Sequence, residues 1–337
     1  MQTSVKQRKL ILIEALGGTI SMVSGKQGLV PALAGEKLLD GISPCLGSDI
    51  KTSVSNRIPI ASPNLTFTLI RELAASLAKN LENPDVFGAV VIQGTDTIEE
   101  TSFLLNLLLD TDKPVVVTGA MHGANAVSPD GPANIIASIR VASDPASKNR
   151  GVLVVMNHEI HSAARVVKAS TSQLDAFCSP NGGLLGILSE GDVRYFNIDA
   201  GYTKIALVPA TAREPEIALM KIGLSDSGKS LQALPRLGYE GLVIEAMGAG
   251  HVPAGLVPII AELRQHMPVV LSSRTGSGFV HRKTYSYPGA EMDLIPHGVI
   301  TSGHLNALKA RMLLMAAVAS NCDSRKIEAA FRLFEGR

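Results

Sequence analysis

The chain has 337 residues, of which 46% are apolar and 18% charged, with a formal net charge of +1. That length accommodates two domains of ordinary size, and so apolar a composition excludes intrinsic disorder. The near-neutral charge, with no block of lysine or arginine, excludes nucleic acid as a partner, and no run reaches the ~18 apolar residues of a membrane-spanning helix.

The apolar run Leu10–Ile13 stops at Glu14. It reads as the core of a first strand, Leu10–Ala15, rather than as a secretory leader, which would need a longer apolar stretch and a small-residue cleavage site. The three cysteines, Cys45, Cys178 and Cys322, are far apart and odd in number. They suit a reducing compartment and neither a disulfide framework nor a zinc site, so a cytoplasmic protein is expected.

In chain order, further strand-like runs fall at Ala89–Ile92, Val115–Thr118, Val152–Met156, Ile217–Ile222, Gly241–Ile244 and Val269–Leu271. Helical periodicity falls between them, at Leu69–Asn80, Glu99–Leu109, Pro132–Ala142 and Leu256–Arg264. The alternation predicts an α/β fold with mostly parallel sheets. A break near Val208–Glu216 predicts two domains: residues 1–205, with a larger flavodoxin-like sheet, and residues 216–337, a smaller α/β domain. In such sheets the ligand lies beyond the carboxyl ends of the strands.

Four segments carry chemistry. Leu16-Gly17-Gly18-Thr19 follows the first strand; its glycines admit a close approach and its threonine offers a hydroxyl, which needs a base to become nucleophilic. The stretch Ser21–Gly35, rich in glycine, serine and alanine, reads as a lid. Gly94-Thr95-Asp96-Thr97 follows the second run. Asp96 or Thr97 can cap the next helix, with Glu99 and Glu100 in its acidic first turn. Capping does not explain why Thr95 and Asp96 stand together at a strand end. Lys113–Val141 is a strand, a polar loop after Thr118-Gly119-Ala120, and a helix opened by Asp130-Gly131-Pro132. Lys168 sits between Val166-Val167 and Ala169, where a partly buried amine can serve as a base; a solvated surface lysine is the alternative.

Taken together, these segments resemble the bacterial-type L-asparaginase family. The family's Thr-Gly-Gly-Thr-Ile stands here as Leu16-Gly17-Gly18-Thr19-Ile20, and its Gly-Thr-Asp-Thr-x-Glu-Glu-Thr signature is complete at 94–101. Lys113-Pro114, Asp130-Gly131-Pro132, Asn134, Asn149-Arg150-Gly151-Val152, Gly238-Tyr239-Glu240-Gly241 and Ser272-Ser273-Arg274 extend the match over nearly the whole chain. The resemblance implies that Thr19 is acylated and that Thr95, Asp96 and Lys168 activate it. It also implies a Thr95 amide facing the oxyanion, an Ala120 carbonyl holding the departing amide, and Ser62 on the substrate's α-carboxylate, with Gly94 and Asn64 beside it. Glu291 and Ser225 fall where family members contribute across a subunit interface, and the assembly implied is a homotetramer with shared sites. The substrate implied is a small amide, L-asparagine first. No metal or organic cofactor is implied, since no ligand cluster or cofactor fingerprint is visible.

The departures concern substrate reading. The family's Gly-Ser-Gln-Asp is Ala61-Ser62-Pro63-Asn64, its histidine before Gly-Thr-Asp is Gln93, and the tyrosine usual in its first loop is missing: the five tyrosines begin at Tyr195. The alternative expectation is therefore an asparaginase-like amidase for another small amide. Two readings stay open for Tyr285 and Tyr287: both rings pack at a subunit interface, where tyrosine is common, or one of them, with Tyr285 preferred, reaches the neighbouring chain's site and stands in for the missing phenol.

Overall fold

The structure is a computed structural model and describes residues 8–18, 20, 22–25, 28–31, 37, 39, 41–56, 59–198 and 213–336. The chain divides into two compact units, Met1–Tyr202 and Thr203–Arg337.

In the first unit the apolar runs become strands β1 (Lys9–Ala15), β5 (Val86–Ile92), β6 (Val115–Thr118) and β7 (Val152–Met156). Both alternating faces of these strands are apolar and buried, so helices must cover both sides of the sheet. Ile11, Ile13, Val90, Ile92, Val116, Leu153 and Val155 pack on one face with Ile135 and Ile139 of a helix at Gly131–Ser143. We number the helices α1 (Phe67–Leu81), α2 (Ile98–Leu108) and α3 (Gly131–Ser143). Two short strands, β2 (Met22–Gly25) and β3 (Gly28–Pro31), form an antiparallel hairpin inside the stretch expected as a lid; its other residues lie outside the described ones.

An edge strand, β4 (Ile50–Asn56), pairs in parallel with β1, Ile11 opposite Thr52. On its other side β1 pairs in parallel with β5, Ile13 opposite Val90. After β7 the sheet turns antiparallel through β8 (Glu159–Ser162), β11 (Gly186–Ser189) and β12 (Asp192–Tyr195), while β9 (Val167–Lys168) and β10 (Phe177–Cys178) form a separate two-stranded ribbon. The order is β12-β11-β8-β7-β6-β5-β1-β4. From β1 the chain passes to β4 on one side and then to β5 on the other. That reversal opens a crevice beyond the carboxyl ends of β1 and β5, the place where doubly wound sheets bind ligands.

The second unit is a four-stranded parallel sheet, β13 (Ile217–Lys221), β14 (Gly241–Ala246), β15 (Val269–Ser273) and β16 (Ile300–Thr301), in sequence order. Its helices are α4 (Lys229–Ala233), α5 (Val257–His266), α6 (Glu291–Leu294), α7 (Ala307–Ala319) and α8 (Ser324–Arg332). Leu242, Ile244, Val269 and Leu271 pack with Ile260 and Leu263 of α5 in its core. The mixed α/β class read from the sequence is the observed one, with a large mostly parallel sheet and a second parallel sheet in the C-terminal unit.

Candidate active site

Three loops meet at the β1/β5 crevice with almost no space between their backbones. Gly17 and Gly18 have φ of 106° and 95°, a region that side-chain-bearing residues rarely enter. A Cβ added to Gly18 would collide with the backbone of Gly94, and one on Gly94 would lie 2.6 Å from Ser62 Oγ. A Cβ on Gly119 would meet Gln93 O at 2.6 Å and Thr95 Cγ2 at 3.2 Å. The glycines thus bring the ends of β1, β5 and β6 together. Thr19, the expected nucleophile, lies outside the described residues; its neighbours are Gly18, against Gly94, and the buried Ile20.

Thr95–Thr97 is a single 3-10 turn leading into α2. Thr97 is the N-cap residue, yet no side chain makes the capping hydrogen bond, so the capping expected of Asp96 or Thr97 is not realised. Both side chains have other partners. Thr97 Oγ1 donates to Ser62 O at 3.2 Å and ties the 62–64 turn to the crevice. Asp96 Oδ1 accepts from Lys168 Nζ at 2.7 Å, and the same ammonium donates to Thr95 Oγ1 at 2.9 Å. Thr95 is buried; Lys168 keeps 17% of its side chain exposed and Asp96 59%. An ion pair so open adds no more than about 1 kcal/mol to stability, so its larger effect is to fix the amine on the threonine.

Lys168 reaches Thr95 from β9, whose strand pairing sets Lys168 opposite Phe177. Its backbone N–H donates to Glu99 Oε1 at 2.8 Å across 69 residues of sequence. Glu99 is buried at the start of α2. The sequence reading gave it only a helix-dipole role; the structure shows it holding the lysine's strand. A carboxylate in the first turn of a buried helix was the available signal.

The third wall is pinned from below. Asp130 does not cap α3; its two oxygens accept from Met121 N and His122 N at 2.9 and 2.8 Å. Asn134 donates to Gly119 O at 3.1 Å and to Asp130 Oδ2 at 3.0 Å. Together they fix the peptides either side of the buried Ala120. Ser62 is buried beside Gly94, whereas Asn64 is exposed. Gln93 is fully buried; its amide nitrogen lies 3.3 Å from Gly94 O and 3.4 Å from Thr97 Oγ1.

The remaining expected residues belong to the second unit. Ser225 is exposed, with φ of 62°. Glu291 is fully buried at the start of α6, where its Oε1 accepts from the backbone N–H of Thr284 and Tyr285, both at 2.8 Å. Burial by itself would raise its carboxyl, but the N–H groups of Tyr285, Thr284 and Glu291 itself, with the His251 imidazole, hold it below the ordinary carboxylate range. Tyr285 is exposed and packs edge-on against His251. Among the described residues no group of histidine, cysteine and carboxylate side chains forms a metal cage, and no described helix is long and apolar enough to cross a membrane.

The site thus holds a lysine on a buried threonine at the switch point of a doubly wound sheet, and comparison with known proteins gives its class. Residues 10–200 match the model of the asparaginase N-terminal domain, and residues 216–331 that of the glutaminase/asparaginase C-terminal domain. L-asparaginase 2 of Bacillus subtilis is 34% identical over 95% of this chain and 85% of its own length. A probable L-asparaginase of Deinococcus radiodurans is 36% identical, over 95% of this chain and 96% of its own. The crystal structure of a probable cytoplasmic L-asparaginase from Campylobacter jejuni superposes with a TM-score of 0.82 at 30% identity, covering 96% of this chain and 99% of that one. The protein is an amidohydrolase. It belongs to the asparaginase family.

Proposed function

We propose that the protein is an L-asparaginase, hydrolysing the side-chain amide of asparagine to aspartate and ammonia through a threonyl acyl-enzyme on Thr19. The observation that carries this reading is the Lys168–Thr95–Asp96 set. Once the Lys168 ammonium has given up a proton, its neutral amine can receive, through Thr95, the proton of an attacking oxygen. Asp96 keeps the amine in place. The backbone N–H at Thr95 faces the developing oxyanion, where a fixed donor contributes most. Ala120 O, with its loop held by Asp130 and Asn134, receives the departing amide nitrogen. Ser62 and Gly94 hold the α-carboxylate, with Asn64 beside them. The reading extends to a cytoplasmic homotetramer in which Glu291 and Tyr285 serve a neighbouring chain's site, and residues 1–205 and 216–337 act as separate domains.

A second reading is favoured by one sequence feature. Pro63 stands where the family has a glutamine, so one group that would hydrogen-bond the substrate is missing. Sites that bond a substrate group discriminate for it by up to ~10⁴–10⁵, and loss of the partner relaxes that preference. The alternative is therefore the same chemistry on another small amide.

Ammonia release from a panel of amides tests both. Asparagine is expected to have the highest kcat/KM; a different amide ahead of it would support the second reading. Thr19→Ala is expected to abolish turnover without altering the fold. Retention of more than about a tenth of the parent rate, a loss under ~1.4 kcal/mol, would remove Thr19 from the role of nucleophile.

A further inference from the structure

Two residues of the first unit break local rules that favour stability, and both lead to Ser62. Thr97 is the N-cap of α2, where a threonine hydroxyl ordinarily accepts from an N–H two or three residues on. It makes no such bond. Its Oγ1 donates instead to Ser62 O at 3.2 Å, across 35 residues of sequence. Gln93, directly after β5, is the second. It is fully buried, yet its Oε1 has no hydrogen-bond partner among the described residues. A buried acceptor left unmet is destabilising. The amide nitrogen makes two long contacts, to Gly94 O at 3.3 Å and to Thr97 Oγ1 at 3.4 Å, against an ordinary ~2.9 Å. A methionine would fill the same space and leave no acceptor unmet, so stability alone does not account for a glutamine here.

The donors run in one direction. Gly94 O only accepts, so the Gln93 amide turns its nitrogen that way. The same nitrogen donates to Thr97 Oγ1, and that hydroxyl gives its single proton to Ser62 O. Ser62 O also accepts from Leu65 N at 3.1 Å, closing the 3-10 turn of Ser62–Asn64. Both lone pairs of this carbonyl are thus used. Upstream, Ile60 N donates to Leu16 O at 2.8 Å. Ser62 is therefore held from both sides of the crevice: by the loop after β1 through Ile60, and by the loop after β5 through Thr97.

Pro63 stiffens the turn by fixing its own φ, but a stiff turn still needs an anchor to set its direction. The Thr97 hydroxyl is that anchor. The position it sets is a tight one, since a Cβ on Gly94 would lie 2.6 Å from Ser62 Oγ. Gln93 in turn holds the anchor, and its amide keeps this donor at any pH, whereas an imidazole in its place would titrate near neutrality.

We propose that Thr97 and Gln93 are positioning residues for substrate affinity, holding Ser62 where its hydroxyl meets the substrate's α-carboxylate. The proposal rests on the asparaginase reading of Ser62. Neither residue takes part in the bond changes, so their loss is felt in binding before chemistry. Their departures from local stability rules, an unused cap and an unmet buried acceptor, are of the kind that functional sites retain.

The experiment uses the full chain with L-asparagine and ammonia detection, alongside thermal unfolding. Thr97→Val keeps the β-branched shape and deletes the hydroxyl. It is expected to raise KM about tenfold, with kcat within about threefold of the parent's. Thr97→Ser keeps the hydroxyl and is expected to bring KM back to within about twofold. Gln93→Met is expected to raise KM while melting no lower than the parent, so that affinity and stability move apart; a packing role would move them together. Residues of one chain of bonds are non-additive, so the double variant should have a KM close to that of Thr97→Val. A KM for Thr97→Val within about twofold of the parent's would overturn the proposal. So would a Thr97→Ser variant as impaired as Thr97→Val, a loss confined to kcat, or a Gln93→Met variant that melts lower at an unchanged KM. If Thr97→Val does not fold, the two readings on Gln93→Met decide alone. A parent that turns over no amide bearing an α-carboxylate would overturn the asparaginase reading and the proposal with it, and that result is read on the unaltered protein before any variant is made.

Discussion

At the scale of single residues, the candidate site depends on where side-chain bonds go rather than on which residue types are present. Lys168→Met removes the amine but keeps the stem, and is expected to lower kcat by orders of magnitude; a normal rate with an unchanged pH profile would show a bystander lysine. Glu99 acts one step further out. Glu99→Ala removes the acceptor for Lys168 N and is expected to lower kcat at least tenfold, while Glu99→Gln, which keeps an acceptor oxygen, retains most of the rate. Equal losses in both variants would point to the charge instead of the bond. A third residue reports on stability. His161 is fully buried, with Nδ1 3.0 Å from Ser179 Oγ, and burial lowers it to about 4. The unfolded chain, with an ordinary histidine near 6.5, binds the proton first as the pH falls. Stability is therefore highest above about 6.5 and is lost between there and about 4, by roughly 3 kcal/mol if the exchange is complete. Urea unfolding at pH 7 and pH 4.5 checks this: the parent's midpoint should fall more than that of His161→Gln.

At the scale of elements, the β1 and β5 loops are joined by glycine backbone, not by side chains. Gly18→Ala has both a φ of 95° and a clash with the Gly94 backbone against it. It is expected to destabilise the first unit by more than about 1 kcal/mol and to cut kcat/KM, measured by thermal unfolding and ammonia release. An unchanged melting temperature would mean that the loops separate at no cost. The same elements show what the sequence makes legible. Val115–Thr118 and Val152–Met156 were read with their observed ends because they are continuous apolar runs buried on both faces. Strand β4 was missed: IKTSVSN is polar and lies at the sheet edge, where one side needs no burial. The ribbon carrying Lys168 escaped for a related reason, since a two-residue strand has no periodicity to detect. Side-chain bonds such as Glu99 to Lys168 or Asp130 to Met121 leave no periodic trace, so Glu99 and Asp130 read as helix-start residues. The motifs themselves were legible, because glycines, a threonine and an aspartate at strand ends are what a close-packed crevice requires.

At the scale of the whole molecule, the expected site residues lie in different units, Thr95, Asp96 and Lys168 in the first and Glu291 and Tyr285 in the second. The family resemblance implies that one chain's second unit serves its neighbour's site. Subunit complementation decides the matter. Thr19→Ala and Glu291→Gln chains, each expected to be nearly inactive alone, are unfolded together and refolded as a mixture. If a site takes Thr19 from one chain and Glu291 from its partner, half of the close pairs are mixed, and each mixed pair holds one intact site and one doubly altered site. About a quarter of parental activity then returns. If each site is built within one chain, every site carries one lesion and no activity returns. Light scattering on the same mixture should find tetramers, and dilution should abolish activity as they dissociate. A fully active monomer at nanomolar concentration would exclude shared sites.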